Sequence, residues 1–532
     1  MFRTIPSRVV SVTVDIKCDG DFQMQRPIPQ SYGCEPCAHV CSRFAKLAGS
    51  TLETPCKGND VKLSLLATSL LALVVIQPAS ATNLSDAYAD AKTNDPVLGA
   101  ARAGLAATQQ RVPQARSALL PNASIGGSSS WNERSFPSPL LDFQTGEVIR
   151  DPVTGRPLRA PDQEFNEHQW QAQVRQPLLN LESWFDYRSA KKGVESAEWD
   201  FASTEQQLIV RTVDAYLNVL RAQDLLDSAV AAEAAVKRQL EQVQQRFDVG
   251  LVAITDVLEA QAEYDSVVVV RVQAAGDHEI LFETLRTLTG EPYTSIDRIA
   301  ESLPIVDPSP SNEEEWVNTA LATNHTIKAA NAQLDSARRT LRARRSGHLP
   351  TIDATVSTSH FVTGGQAFLG SKIDQDVYAV SINLPIYQGG LTSSRAREAR
   401  ALADQSQQLL LDRQLTVSRD TRNLFRAVAT DVVRVKARLR AIASSESALE
   451  ATETGYEVGT RNIVDVLQAQ NRLYSSQFDY ADSRYNYILN LLLLKQTAGT
   501  LEDADLAELN QFTDPNDTVE QLNTLSARLG PN

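Results

Sequence analysis

Residues 249–261 read VGLVAITDVLEAQ, and residues 458–470 read VGTRNIVDVLQAQ. Val-Gly, a short spacer, Asp-Val-Leu and Ala-Gln recur at the same offsets in both segments. The glycine suits a helix end, because glycine adopts the left-handed conformation without strain. Asp256 and Asp465 suit the first turn of a following helix, where the helix dipole favours negative charge. Each segment is therefore predicted to be the tight corner of a helical hairpin, and favourable charge placement alone would explain the two aspartates.

The chain beyond residue 82 carries the same order of elements twice: helix, strand, loop, strand, very long helix, corner and helix. A Pro- and Ser-rich linker, 301–312, separates a first repeat, 82–300, from a second, 313–500, and a polar tail occupies 501–532. Strict alternation of apolar and polar residues predicts the strands. The predicted first helices are 83–118 and 313–345, the strands are 122–131, 169–176, 351–361 and 376–385, and the corners are 248–256 and 457–465.

The second helix of each repeat is unusually long. The stretch from Leu181 to Phe247 contains no proline, and at 1.5 Å per residue it would run about 100 Å as a helix. Ordinary globular helices are much shorter. Apolar residues in the last helix recur at steps of three, four and seven, as in a coiled-coil seam. They are Val464, Leu467, Tyr474, Phe478, Ala481, Tyr485, Ile488 and Leu492.

Four half-apolar strands in one chain cannot close a barrel, which needs about eight or more. Unpaired strand edges are not tolerated in lipid. A membrane barrel would therefore need several chains, with apolar strand faces toward lipid and polar faces toward a lumen. The same pattern is also compatible with a soluble fibrous protein, and periodicity alone leaves that alternative open.

The N-terminal region reads as a targeting segment behind an extension. A lysine, an apolar run over 63–76 and Pro78-Ala79-Ser80-Ala81 form a secretory signal peptide, 61–81. The apolar run is too short to span a bilayer as a helix. Because signal peptides normally start near the first methionine, we expect translation to begin at the first residue of this signal and 1–60 to be a mis-assigned extension.

Cysteine positions and net charge bound the class of protein. All five cysteines precede residue 60, so the exported part lacks cysteine, which fits a bacterial periplasm and outer membrane. The alternative for Cys34-x-x-Cys37-x-x-x-Cys41 is a metal site, but the spacing lacks a clear second ligand pair. A net charge of −14 argues against a nucleic-acid partner.

Several segments closely resemble the TolC family of outer-membrane exit ducts, and the likeness covers about 83–510. They are RFDVGLVAITDV (246–257), GYEVGTRNIVDVL (455–467), LPIYQGG (384–390), AYLNVL (215–220) and LLP (119–121). The resemblance implies a homotrimer with an internal two-fold repeat in each chain. The expected fold class is mixed: a long antiparallel α-helical coiled-coil barrel, plus four strands from each chain in a trimeric 12-stranded transmembrane β-barrel.

The resemblance also implies a function. The chain would be the exit duct of a tripartite export system, for multidrug efflux and/or type I protein secretion, in the outer membrane of a Gram-negative bacterium. It would be a passive channel that extends into the periplasm and opens there when a periplasmic adaptor (membrane fusion) protein docks. The expected partners are that adaptor, an inner-membrane ABC or RND transporter and outer-membrane lipid, and no cofactor or metal is expected.

By position in the family, Asp465 would be one of the aspartates that ring the periplasmic aperture. Three such carboxylates around a narrow axis attract cations and repel anions. One turn further on, the family prototype has a second aspartate, and here that position is Gln468. The substitution predicts a weaker cation trap and reduced block by multivalent metal ions.

Two further sets of residues gain roles from the resemblance. Tyr456 and Arg461 match residues that tie the inner hairpin to its neighbours, so they would latch the closed entrance. Their expected counterparts are Asp256, Thr255 and Gln239. The corners would form grooves for adaptor tips, and their residues are Val249, Gly250, Val458 and Gly459. Turn formation alone would also explain the glycines, and it is compatible with docking.

An enzyme is not expected, because the six histidines are scattered and no metal-binding or phosphate-binding motif is present. The main alternative is a periplasmic adaptor-like coiled-coil protein of an efflux system without a pore. Adaptors carry one main helical hairpin between compact β domains. Two hairpins and period-two strands disfavour that alternative.

Overall fold

A computed structural model describes residues 82–365 and 371–522. The predicted extension 1–60 and signal peptide 61–81 lie outside the described residues, as do 523–532 of the tail. The helices are α1 (Leu84–Asn94), α2 (Pro96–Gln109), α3 (Arg111–Ser117), α4 (Leu181–Asp248), α5 (Ile254–Thr289), α6 (Glu313–Thr323), α7 (His325–Ser346), α8 (Leu391–Glu457), α9 (Ile463–Ala498) and α10 (Asp503–Asn510). The strands are β1 (Asn122–Arg134), β2 (Gln163–Leu179), β3 (Ser295–Ile299), β4 (Thr351–Gly365), β5 (Ser371–Asn383) and β6 (Thr513–Glu520).

Strands from both predicted repeats form one antiparallel sheet in the order β1-β2-β4-β5. The β2–β4 pair joins the repeats, with Val174 opposite Val356. Strands β1 and β4 extend beyond their predicted C-terminal ends and β2 extends at both ends, because backbone pairing continues where the strict alternation of apolar and polar residues is lost. Strand β5 also begins before its predicted start, and it ends before Pro385, which has no N–H to donate to a ladder.

The first helical stretch of each repeat is broken, which corrects the predicted continuous helices. Asp95 separates α1 from α2, and its carboxylate accepts the backbone N–H of Leu98 at 2.8 Å. Asn324 separates α6 from α7, and its side-chain oxygen accepts the backbone N–H groups of Thr326 at 2.9 Å and Ile327 at 3.1 Å. Both residues are N-caps, which stabilise a new helix start.

Helices α4 and α8 contain 68 and 67 residues, so each runs about 100 Å. Helix α4 packs against α5, α7 and α9, and α8 packs against α7 and α9. The buried residues in the last third of α4 are mostly small or β-branched, and they recur at coiled-coil spacing. The buried ones there are Ala229, Ala232, Ala235, Val236, Gln239 and Val243. Each long helix therefore owes its stability to continuous side-by-side packing.

The segment predicted only as a polar tail folds in part. Strand β6 pairs with β3, an element that the sequence pattern did not reveal, and α10 precedes it. Arg298 of β3 donates to Asp224 of α4 at 2.7 Å and contacts Asp517 of β6 at 3.3 Å. The C-terminal strand is thus bonded through β3 to the long helix.

The largest apolar cluster surrounds Tyr216, which is fully buried in α4. Its hydroxyl donates to the backbone oxygen of Asp297 at 2.6 Å. This bond attaches the small β3–β6 sheet to the middle of α4.

None of the helices in the described ranges is both long and apolar enough to cross a lipid bilayer.

Candidate functional site

The two hairpin corners have the same backbone geometry. Gly250 has φ +76° and Gly459 has φ +77°, both in the left-handed region. At the first corner, the N–H of Leu251 donates to the oxygen of Arg246 at 2.9 Å. At the second, the N–H of Thr460 donates to the oxygen of Gly455 at 2.8 Å. These six-residue bonds are the glycine-terminated helix end predicted from sequence.

Apolar side chains at the corners are left open to solvent. Val249 and Val458, which precede the two glycines, are each 70% exposed, and Leu251 is 73% exposed. Equal exposure at equivalent positions of the two corners gives one apolar tip per hairpin.

Asp465 has a structural role within one chain. It forms a capping box with Asn462: the Asn462 side chain accepts the N–H of Asp465 at 2.8 Å, and Asp465 accepts the N–H of Asn462 at 3.3 Å. The guanidinium of Arg461 lies 3.9 Å from the same carboxylate, whose side chain is 35% exposed. The helix-start interpretation of this aspartate therefore holds, and the carboxylate still reaches solvent.

The first corner lacks this box. Helix α5 begins after Ala253, which has no side-chain cap. The hydroxyl of Thr255 donates to the carboxylate of Asp256 at 3.4 Å. Asp256 therefore keeps capacity for another donor. At the second corner, Gln468 is exposed one turn into α9.

Tyr456 lies at the contact between the two hairpins. It is 9% exposed and belongs to a small cluster that includes Val257 of α5 and Ile463 of α9. The guanidinium carbon of Arg246, from α4, sits 4.8 Å from the centre of its ring, a cation–π distance. No role for Arg246 was predicted from the sequence, although it is the first residue of the quoted segment 246–257.

Two buried polar atoms at this contact have no hydrogen-bond partner among the described residues. They are the hydroxyl of Tyr456 and the side-chain nitrogen of Gln239. Within one chain, neither Tyr456 nor Arg461 is bonded to Asp256, Thr255 or Gln239, all of which the structure describes. Arg461 faces Asp465 instead. The predicted latch residues thus sit at adjoining corners without closing a latch inside one chain.

Across the described ranges, no group of three or more His, Cys, Asp or Glu side chains is placed to hold a metal ion.

A family model described as outer membrane efflux protein matches residues 87–291 and 316–500. The outer membrane protein TolC of Vibrio cholerae serotype O1 is 34% identical over 438 residues, 81% of this chain and 93% of that protein. The alkaline protease secretion protein AprF of Pseudomonas aeruginosa is 25% identical over 438 residues, 82% of this chain and 88% of that protein.

The fold has close counterparts among solved structures. The Campylobacter jejuni CmeC outer membrane channel matches with a TM-score of 0.62 and 17% identity, over 87% of this chain and 98% of that chain. These comparisons confirm the predicted family resemblance, and they lend no support to the alternative of a periplasmic adaptor.

Proposed function

Because this chain belongs to the outer membrane efflux protein family, it is an outer-membrane exit duct, and we propose that it works as a homotrimer. The family consists of transport channels rather than enzymes. Three copies would each contribute β1, β2, β4 and β5 to one 12-stranded transmembrane barrel. The supporting observation is that, among the described strands, β1 and β5 each pair with only one neighbour. Pairing β5 of one copy with β1 of the next would remove every open edge.

An exposed apolar row on one face of the four-stranded sheet supports placing this sheet in lipid. Ala123, Val174, Val356 and Tyr378 are partners in one cross-strand row. Val174, Val356 and Tyr378 are 44%, 48% and 78% exposed in a single chain. A continuous exposed apolar row is costly in water and stable against lipid tails.

The proposed duct works with two further proteins. A periplasmic adaptor would dock on the exposed corner residues around Gly250 and Gly459 and would join the duct to an inner-membrane ABC or RND transporter. The relative AprF is named for secretion of an alkaline protease, which favours type I protein secretion as one route. Drug efflux is the other route that such a duct would serve.

Asp465 is proposed to face the aperture of the trimer. Its 35% side-chain exposure within one chain leaves the carboxylate able to attract cations while it caps α9. Three copies around an axis would give one ring of negative charge, and Gln468 would add none. We therefore expect moderate cation selectivity and weak block by multivalent metal ions.

The latch is proposed to form between copies. Tyr456 presents a buried hydroxyl that has no hydrogen-bond partner among the described residues, and Asp256 keeps acceptor capacity at the adjoining corner. Arg461 reaches Asp465 only at 3.9 Å, so a neighbour's carboxylate would be a competitive partner. Each exposed pair is worth only about 0–1 kcal/mol, so opening would release several together.

A double variant tests the latch. Tyr456→Phe with Arg461→Ala removes the hydroxyl and the charge and leaves the buried ring in place. We expect higher single-channel conductance in planar bilayers and leakage of large antibiotics into cells. Tyr474→Phe with Arg472→Ala, within the following helix α9, is the matched control. Equal conductance and equal antibiotic resistance in both variants would remove the latch.

A further inference from the structure

The helix ends that border the four-stranded sheet are strongly basic. The segments 111–117, 181–192, 338–346 and 391–400 adjoin β1, β2, β4 and β5, and together they contain thirteen Lys and Arg residues against three Asp and Glu. The whole chain has a net charge of −14. Positive charge is therefore concentrated beside the sheet in an otherwise acidic protein.

Three of these arginines line one face of α7. Arg338, Arg342 and Arg345 follow each other at steps of four and three residues, which places them on the same side of a helix. All three are exposed, and none forms an ion pair among the described residues. Arg344, by contrast, points to α4 and contacts Asp186 at 3.4 Å. Helix packing therefore uses Arg344 and leaves the other three guanidinium groups available to an external anion.

Helix α4 presents an aromatic ring and two cations on one face. Trp184 is 46% exposed, and the exposed Arg188 and Lys191 follow it at steps of four and three residues. Strand β2 ends at Leu179 and α4 begins at Leu181, so Trp184 lies within one turn of the sheet. Tryptophan at the edge of an apolar layer, followed by Lys and Arg, is typical of a membrane–water interface.

Helices α3, α4, α7 and α8 pack side by side in that order and form a layer, in which α4 and α7 are the two central helices. Helix α4 packs between α3 and α7, and α7 packs between α4 and α8. Their exposed faces are thus not covered by a neighbour within the layer, and a further copy would add at its flanks. In the proposed trimer, these faces would look either outward or into the lumen.

We propose that the outward face carries a basic collar, formed by Arg188, Lys191, Arg338, Arg342 and Arg345, that binds the headgroups of anionic phospholipids in the periplasmic leaflet of the outer membrane. The proposal rests on the proposed placement of the sheet in that membrane. It adds the class of lipid and the residues that recognise it. The collar would fix the depth at which the duct sits.

The dimensions agree with this assignment. From Arg345 down to Arg338 the helix descends about 10 Å. The headgroup layer of one leaflet is about 5–8 Å thick, and charges interact over about 8 Å at physiological salt. Arg345 and Arg342 would lie within the headgroups and Arg338 at their lower edge. Each such cation strengthens binding to an anionic surface about fivefold.

Lipid titration tests the collar. The full-length protein in neutral detergent is titrated with phosphatidylglycerol, with phosphatidylcholine and with inorganic phosphate, and bound lipid is counted by native mass spectrometry. We expect retention of phosphatidylglycerol over phosphatidylcholine, and a loss of about tenfold or more in apparent affinity in R338Q/R342Q/R345Q. The matched control K237Q/K436Q/R440Q removes three exposed cations that lie roughly 65–85 Å further along α4 and α8, and it should bind like wild type.

Three results would overturn the proposal. One is equal phosphatidylglycerol binding by the collar variant and wild type. Another is protection against thermal unfolding by inorganic phosphate as strong as that by the lipid, which would mean a site for a soluble anion. The third is unchanged lipid binding with altered ion selectivity in planar bilayers, which would place the arginines in the lumen. The same spectra record the oligomeric state. They therefore distinguish a protein that does not form the trimer from a trimer that does not bind the lipid.

Discussion

At the scale of single residues, Asp465 combines two roles that one pair of variants separates. Asp465→Asn removes the charge at the proposed aperture, and we expect weaker cation selectivity in planar bilayers. Asn462→Ala removes the reciprocal partner of the capping box and should cost about 0.5–2 kcal/mol of stability, with selectivity unchanged. Selectivity lost in Asn462→Ala but retained in Asp465→Asn would contradict a ring of carboxylates.

Asp297 is a buried carboxylate with an orphaned oxygen, and it gives a pH-dependent prediction. It is 3% exposed, and its Oδ1 has no hydrogen-bond partner in the described part of the chain. Burial, together with the carboxylates of Asp86 and Asp514, raises the pKa of Asp297. The folded protein therefore holds this proton more tightly than the unfolded chain does. Stability from this group rises as pH falls through the raised pKa, and it is lost at higher pH.

Asp297→Asn should consequently stabilise the protein near neutral pH, by about 1 kcal/mol, and the gain should shrink toward pH 4. Thermal unfolding at several pH values measures this. Asp227→Asn, a change at a more exposed carboxylate, is the comparison. A stabilisation by Asp297→Asn that grows as pH falls would contradict a raised pKa of Asp297.

At the scale of elements, the corners depend on one backbone conformation. Gly459→Ala adds only a methyl group, but it forces a residue with a side chain into the left-handed region. This should lower the free energy of unfolding by about 1–2 kcal/mol. Gly276→Ala in α5 is the opposite case, because that glycine is helical and a Cβ there would contact nothing within 4 Å. It should stabilise by about 1 kcal/mol. Denaturant unfolding that shows the same sign for both would contradict this account of the corner.

The corners and the long helices were predictable because their signals are local. Glycine at a helix end, an unbroken run without proline and period-two strands each follow from nearby residues. The breaks at Asp95 and Asn324 were missed because helical periodicity continues on both sides of each cap. Strands β3 and β6 were missed because β6 contains Pro515 and neither strand alternates. Their pairing joins residues more than two hundred positions apart.

The candidate site divides in the same way. Asp465 and the glycines stand in quoted motifs, so the sequence identified them. Packing of Arg246 on Tyr456 depends on how two hairpins meet, and no local pattern encodes it. The capping box of Asn462 was readable in principle, since Asn three residues before Asp at a helix start is the expected spacing.

At the scale of the whole molecule, assembly follows from what one chain leaves open. Within the described ranges, the four-stranded sheet has two unpaired edges, an apolar row exposed to solvent and a basic border where the helices begin. In an isolated chain in water, the unpaired edges and the exposed apolar row are unfavourable, and the basic border has no lipid headgroups to bind. Three copies in a membrane would pair the edges, cover the row with lipid tails and set the border against headgroups.

All of these features depend on the number of chains that close the barrel, and native mass spectrometry of the detergent-solubilised protein counts the chains directly. We expect a particle of three identical chains that remains assembled in mild detergent and separates into single chains when heated. A particle containing one chain, or any number of chains other than three, would contradict it.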